Sequence, residues 1–394
     1  MTSLPPRADF QAPTTIRYLK LMNMIDWAEI RKRFPVTETV AYLNSAAAGP
    51  VSRASQQAAS SYYETMMRDG DVHWNRWLRE REAIRKRLAE FINAEPDEVA
   101  FTTNTSSGMN IIIDALEGRG EVISSSLEFP VTTLPWMNRR IPTHLLPTVD
   151  GEVRVRDIQG AMNDKTGVIA LSHVQYSNGS RLDPKAVAAI KGNHTLVVNA
   201  SQSAGAFAID VKRMGIDALC ATGHKWMLAG YGSGFVYLSR DLLARTHSRT
   251  LGWLSVEEPF EMRNNELHPR HDAAARIELG CPHFAAIFAL GASLDLIQEI
   301  GIENIQTRVL HLNRLLTSSL IESGWRVLSP LQNENLRSAE TLVEVENPTQ
   351  VVHALLRRGV IVTEKPEGIR VATHFFNNEN DIERLMRALD ETRN

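Results

Sequence analysis

The chain has 394 residues, 43% hydrophobic and 23% charged, with a formal net charge of -3. That suits two globular domains, or one large domain with a lobe; it offers no basic surface for nucleic acid, and no apolar run approaches the roughly 18 residues of a membrane span. Its two cysteines, Cys220 and Cys281, are too few for a disulfide framework or a thiolate metal site, so a reducing, cytoplasmic setting without a bound metal is expected.

Residues 1–23 are rich in Pro, Thr and Arg and lack the apolar core of a signal peptide, so they read as a flexible leader, with Met24 as an alternative start to Met1. Asp26 is suited to cap a helix running to about Arg33, which Pro35 ends. Ala41 to Leu43 reads as a strand entering Asn44-Ser45-Ala46-Ala47-Ala48-Gly49-Pro50, small residues that let a backbone come close to something else; a plain turn is the alternative. Residues 52–93 set Trp74, Trp77, Ile84 and Leu88 at helical spacing, and the charged residues between them, Glu80 and Arg85 included, read as a solvated face. Next comes a strand-like stretch and then Asn104-Thr105-Ser106-Ser107-Gly108, opening the apolar helix Met109 to Leu116. Such a helix start offers free N–H groups, hydroxyls and a positive dipole end to a phosphate, although an ordinary Ser/Thr cap explains it as well.

Strands are expected at Glu121 to Ser125, before Leu127-Glu128-Phe129-Pro130, and at Gly167 to Ser172, before His173-Val174-Gln175-Tyr176. Polar groups beyond the C-terminal end of a strand face the ligand crevice of an open α/β sheet. His173 reads as a core histidine, with a catalytic role as the alternative. Another strand, Thr195 to Val198, leads into Asn199-Ala200-Ser201-Gln202.

The chain is organised around Leu219 to Leu238: an apolar strand, then Thr222-Gly223-His224-Lys225-Trp226, glycines at 230, 232 and 234, and a second apolar strand. One lysine thus sits in a turn between two buried strands, where desolvation disfavours the ammonium form and frees an amine nucleophile. A solvated lysine in a glycine-rich connection is the bland alternative. Beyond it, a helix from Ala285 to Glu299 ends at Gly301 and a second runs to about Ser323. Alternating strands and helices follow: Thr341 to Val345, Pro348 to Arg358, Val360 to Thr363, Gly368 to Ala372 and Glu379 to Leu389.

In their order along the chain, the small-residue loop, the Thr105 turn, Glu128-Phe129, Asn199-x-x-Gln202, Thr222-Gly223-His224-Lys225-Trp226 and Gly368-Ile369-Arg370 resemble motifs of the class V aminotransferases. That is the pyridoxal phosphate (PLP) family of cysteine desulfurases, kynureninase-like hydrolases and isopenicillin epimerase-like enzymes. The resemblance implies an α/β fold, the PLP-dependent transferase fold type I, with a large domain on a mostly parallel sheet and a small α+β C-terminal lobe. The expected division is 24–40 as an N-terminal helix joining the small lobe, 41–299 as the PLP-binding domain and 300–394 as the small domain.

By the same resemblance, Lys225 is the catalytic Schiff-base lysine and later the α-proton base, while Thr105, Ser106, Ser107, Thr222 and His224 hold the phosphate. Phe129 stacks on the pyridine ring, Asn199 meets its nitrogen, Gln202 sits by the ring oxygen, and Tyr176 or Gln175 reaches the 3-hydroxyl. Arg370 grips the substrate α-carboxylate beside the Ala47 loop. Cys281 falls in a segment that in the family crosses to a neighbouring subunit's phosphate, implying a homodimer with shared active sites.

Four departures shape the expected chemistry. Asn199 replaces the usual Asp and offers the nitrogen a hydrogen bond without a charge; Phe129 stands where desulfurases carry His; Cys281 stands where Thr is usual; and Val360 to Ile369 holds none of the desulfurase cysteine. Expected activities are a lyase-type elimination of the C–S lyase kind or an aminotransfer on an amino acid. Epimerisation, kynureninase-like hydrolysis, and a PLP-fold protein with weakened or lost catalysis are the alternatives.

Overall fold

Seven short runs of branched and small apolar residues form the central sheet of the computed structural model, which describes residues 25–247 and 249–393. The expected leader, 1–23, and the start at Met24 lie outside the described residues. The strands are β1 (Val99–Thr102), β2 (Glu121–Ser125), β3 (Thr143–Leu146), β4 (Thr166–Ser172), β5 (Thr195–Asn199), β6 (Ala218–Thr222) and β7 (Gly234–Leu238). They lie in the order β1-β7-β6-β5-β4-β2-β3, and every pairing is parallel except the two made by β7. Alternate residues enter opposite cores: Ile169, Leu171, Leu196, Val198 and Leu219 join one, while Val168, Ala170, Val197, Ala218 and Cys220 join the other. A parallel sheet with apolar side chains on both faces needs helices on both.

Those helices are legible in the apolar periods. On one face lie α4 (Thr105–Leu116), with Met109, Ile112 and Ile113, and α5 (Pro130–Asn138), with Trp136. On the other lie α3 (Trp74–Phe91), with Trp77, Ile84 and Leu88, and α6 (Phe284–Ile300), with Leu290 and Leu294. The short α1 (Trp27–Arg31) is capped by Asp26, and α2 (Arg53–Asp69), capped by Ser52, is parted from α3 at Gly70, whose φ is 65°. One reading fails here. Arg85 is 3% exposed and joins Glu278 at 2.6 Å, while Glu278 also accepts from the Phe101 N–H at 2.7 Å; it is an internal tie rather than part of a solvated face. Burial opposes its charge, yet Glu278 and Glu82 hold its pKa above the ordinary guanidinium value.

Gly301, at φ 86°, separates α6 from α7 (Ile302–Glu322), and the two meet at an 81° bend. No single helix among the described residues is long and apolar enough to cross a membrane. A third buried cluster joins Leu312, Leu316 and Leu320 of α7 to Ala41, Leu43, Val360 and Val362, to strands β8 (Glu340–Glu344) and β10 (Gly368–Ala372), and to helices α8 (Pro348–Arg357) and α9 (Glu379–Asp390); the short β9 (Thr363–Lys365) follows Val362. The expected strand from 360 to 363 is two pieces. Val360–Ile361 pairs in parallel with Ala41–Tyr42, and the chain then switches to an antiparallel three-stranded sheet in the order β9-β10-β8. Arg31 ties the N-terminal helix to Asp381 of α9 at 2.7 Å.

Candidate active site

Loops leaving the C-terminal ends of β1, β2, β4, β5 and β6 surround a cavity of about 610 Å³. Such a crevice at one end of an open α/β sheet is where ligands sit. Lys225 is in its wall, three residues beyond β6, and the small-residue run explains itself at this turn. Gly49 donates its N–H to the His224 carbonyl at 2.7 Å, and a Cβ there would fall 2.2 Å from the Lys225 carbonyl oxygen. Trp226, fully buried, gives its indole N–H to Gln202 at 2.8 Å, and its carbonyl meets His374 Nε2 at 3.0 Å. The lysine backbone is therefore clamped from three directions.

Burial is the main reason that the Lys225 amine is drawn down to about 8; Arg370 pushes the same way, Glu340 opposes, and Lys365 adds to the lowering. Its Nζ lies 5.7 Å from the centre of the Phe129 ring, which meets Tyr176 edge-on at 5.1 Å. At one end of the cavity stand Thr105 and Ser106 in the first turn of α4, with Thr222, His224, Tyr231 and Gly232. First-turn N–H groups have no acceptor within their own helix and carry the positive end of its dipole. Thr222 Oγ1 and His224 Nδ1 are 2.6 Å apart, and Tyr231 stacks on His224 at 4.5 Å. Burial, then the charge of Lys225, lowers the His224 imidazole to about 4, leaving it neutral at physiological pH.

Asn199 ends β5 with its amide orientation fixed. The Ser201 backbone N–H donates to its side-chain oxygen at 3.0 Å and the Ser201 hydroxyl at 2.6 Å, so its amide nitrogen is the atom facing Thr132 Oγ at 3.0 Å. A backbone N–H cannot accept, which settles which atom is which. The nitrogen keeps a second N–H. Gln202 is held equally firmly, donating to the Ala46 carbonyl at 3.0 Å.

At the other end Arg370, 3% exposed, donates through Nη1 to the Tyr176 carbonyl at 2.6 Å and lies 3.2 Å from Glu340. Glu340 is fully enclosed with neither oxygen hydrogen-bonded, and burial lifts its carboxyl to about 7 against the pull of Arg370. Lys365 completes this end, its Nζ 4.4 Å above the Tyr176 ring.

The cavity thus gathers Ala47, Thr105, Ser106, Phe129, Tyr176, Asn199, Gln202, Thr222, His224, Lys225 and Arg370 from the expected set. Ser107 is elsewhere, spending its N–H and hydroxyl on Asn104 and Thr103 beside the helix cap; Cys281, expected at a neighbouring subunit's phosphate, is exposed and off its own chain's cavity. His173 is buried beside Phe207, lowered to about 3 by burial, and Gln175 donates to Glu128 at 2.7 Å; neither lines the cavity. Sequence reasoning missed Lys365, Tyr231 and Glu340. For Lys365 the signal was present: a lysine five residues before Arg370 across a Pro-Glu-Gly turn. No cluster of His, Cys, Asp or Glu among the described residues suits a metal ion.

A family model described as aminotransferase class-V matches residues 41–388. The uncharacterized aminotransferase YcbU of Bacillus subtilis (strain 168) is 28% identical over 373 residues, 92% of this chain and 96% of the relative. An isopenicillin N epimerase of Amycolatopsis lactamdurans is 25% identical over 404 residues, 93% and 98% of the two chains. The apo cysteine desulfurase of Thermococcus onnurineus NA1 superimposes with a TM-score of 0.84 at 22% identity, covering 93% of this chain and 97% of that one.

Proposed function

The chain belongs to the class-V aminotransferase family, and from that premise we propose that it is a PLP-dependent enzyme carrying out a lyase-type β-elimination on an amino acid. One observation carries the reading: the Lys225 amine, buried in the cavity wall, lowered to about 8 and in no ion pair among the described residues. A lysine in that state has no structural partner to explain it and is poised as a nucleophile and base.

The donor set fits PLP. The first turn of α4, Ser106, Thr222 and neutral His224 suit a phosphate; the Phe129 face suits an aromatic ring; the spare Asn199 N–H suits a pyridine nitrogen; and Lys225 suits the aldehyde. When bound, PLP supplies a carbon that captures amines covalently and a ring that draws electrons from the captured amino acid. The chain's own residues do the rest. Arg370 orients an α-carboxylate through its guanidinium, Phe129 and Tyr176 exclude water from one face, and neutral Lys225 Nζ accepts the proton from Cα. Asn199 favours elimination over aminotransfer. Its amide offers the ring nitrogen a donor rather than a carboxylate, so the nitrogen stays unprotonated and electron withdrawal weakens. Aminotransfer leans on that withdrawal most, whereas a departing β-substituent relieves the charge directly.

A homodimer forms part of the same proposal, supported by exposed Met67, Val72, Tyr231 and Met262, which are 83, 75, 74 and 68% accessible. The test is a panel of amino acids with β-leaving groups, following pyruvate, ammonia and sulfide, with keto-acid release and stereochemical inversion followed in parallel. Elimination products and borohydride fixation of PLP to Lys225 are expected, both lost in Lys225→Ala. A keto acid that keeps its β-substituent, or inverted substrate, as the dominant product would replace elimination with aminotransfer or epimerisation, and failure to fix PLP would remove the whole reading.

A further inference from the structure

We propose that the cavity selects an amino acid bearing a second negative charge, with Lys365 holding the side-chain anion while Arg370 holds the α-carboxylate. The inference rests on the amino-acid reading above and deepens it to a substrate class.

Register places the charges. In the three-stranded sheet Arg370 of β10 faces Thr363 on β9 and Leu342 on β8. Residues two apart on a strand share a face, so Lys365 and Glu340 flank Arg370 diagonally on its own side of the sheet. Diagonal neighbours are about 7–8 Å apart, their Cβ atoms somewhat closer, within reach of long side chains. The turn between β9 and β10 is two residues, Pro366 and Glu367, so this spacing is not free to drift. A side chain at 368 would collide with the Val343 carbonyl oxygen, and the glycine there keeps β10 against β8.

The charges do not cancel. Glu340 lies against Arg370 and offsets one guanidinium, while Lys365, half-buried on the cavity wall, has no carboxylate within ion-pair distance among the described residues. Burial and then Arg370 lower its amine to about 8 against the pull of Glu340 and Glu367, which leaves it mostly a cation at neutral pH. The Tyr176 ring 4.4 Å beneath it supplies only a weak attraction at a partly exposed site. The opposite end of the cavity already has its own neutral donors for a phosphate, so the Lys365 charge is spare. A neutral amino acid would leave it so; a β-leaving group that itself carries an acid, such as a thiolate-linked carboxylate or sulfonate, would satisfy it by a charge-assisted hydrogen bond.

The test uses PLP-loaded enzyme and two unreactive probes of equal length, glutarate and valerate, with dissociation constants from calorimetry. Wild type is expected to bind glutarate at least about tenfold more tightly. Lys365→Met should lower glutarate affinity by about tenfold and change valerate less than twofold, and Lys365→Arg should keep the preference. In turnover, Lys365→Met should raise KM for acidic substrates by more than it lowers kcat. Equal affinity of wild type for the two probes, binding of neither, or equal weakening of both by Lys365→Met would overturn the inference. Fixation of PLP on Lys225 is checked on the same samples, so loss of the function reading is told apart from loss of this one.

Discussion

Asn199 is held so firmly that its chemistry is predetermined. Changing it to Asp keeps the two bonds from Ser201 and replaces a donor with a carboxylate, which would hold a pyridine nitrogen protonated. Asn199→Asp is therefore expected to raise formation of the keto acid that keeps its β-substituent, relative to pyruvate from elimination, by about tenfold or more, the scale of about 1.4 kcal/mol in a barrier; an unchanged product ratio would remove the tuning role. Lys225 gives a pH prediction. Only the neutral amine attacks an aldehyde, so PLP uptake by the apo protein should rise about tenfold per pH unit below about 8 and flatten above it. Lys365→Met removes a cation that lowers Lys225, so it should move that break upward. Lys225 was legible in the sequence because a turn between two apolar strands is a local pattern. Glu340 was not, since a buried carboxylate opening a strand looks like a solvated one until its cross-strand partner is known.

Among the elements, Gly49 shows how one backbone atom positions another. A valine there would drive its Cβ to within 2.2 Å of the Lys225 carbonyl oxygen and 2.4 Å of Leu228. Gly49→Val is expected to cost about 1–3 kcal/mol in denaturant unfolding and to weaken cofactor retention. Gly160→Ala is the contrasting case: the residue is exposed in the helix Val155–Ala161 with open space around it, and the change should stabilise by about 0.5–1 kcal/mol. Arg85→Met removes the closest partner of Glu278, leaving Arg81 at 3.4 Å and the Phe101 N–H, and should cost about 1–3 kcal/mol, seen as a lower unfolding midpoint. Helix and strand positions followed from apolar period, and Gly301 marked the break between α6 and α7. The split of residues 360–365 between two sheets did not follow. Strand pairing depends on distant partners, Ala41–Tyr42 for one half and β10 for the other, and that switch is what carries Lys365 to the cavity.

For the whole molecule, the division of charge follows from where the sheets lie. Lys225 hangs from the seven-stranded sheet, while Arg370 and Lys365 hang from the three-stranded one, with Trp226 and His374 bridging them. Sedimentation of the PLP-loaded protein should give a particle of about twice 44.1 kDa if the proposed homodimer forms; a single chain mass would retire it. The placement of sulfur has a practical use. Cys220 is locked between the sheet and its helices, where burial lifts its thiol far above the ordinary range, whereas Cys281 is open to solvent. A maleimide fluorophore should therefore couple at one position in the single chain, and slower coupling where the proposed homodimer covers Cys281 turns the labelling rate into an optical report of assembly.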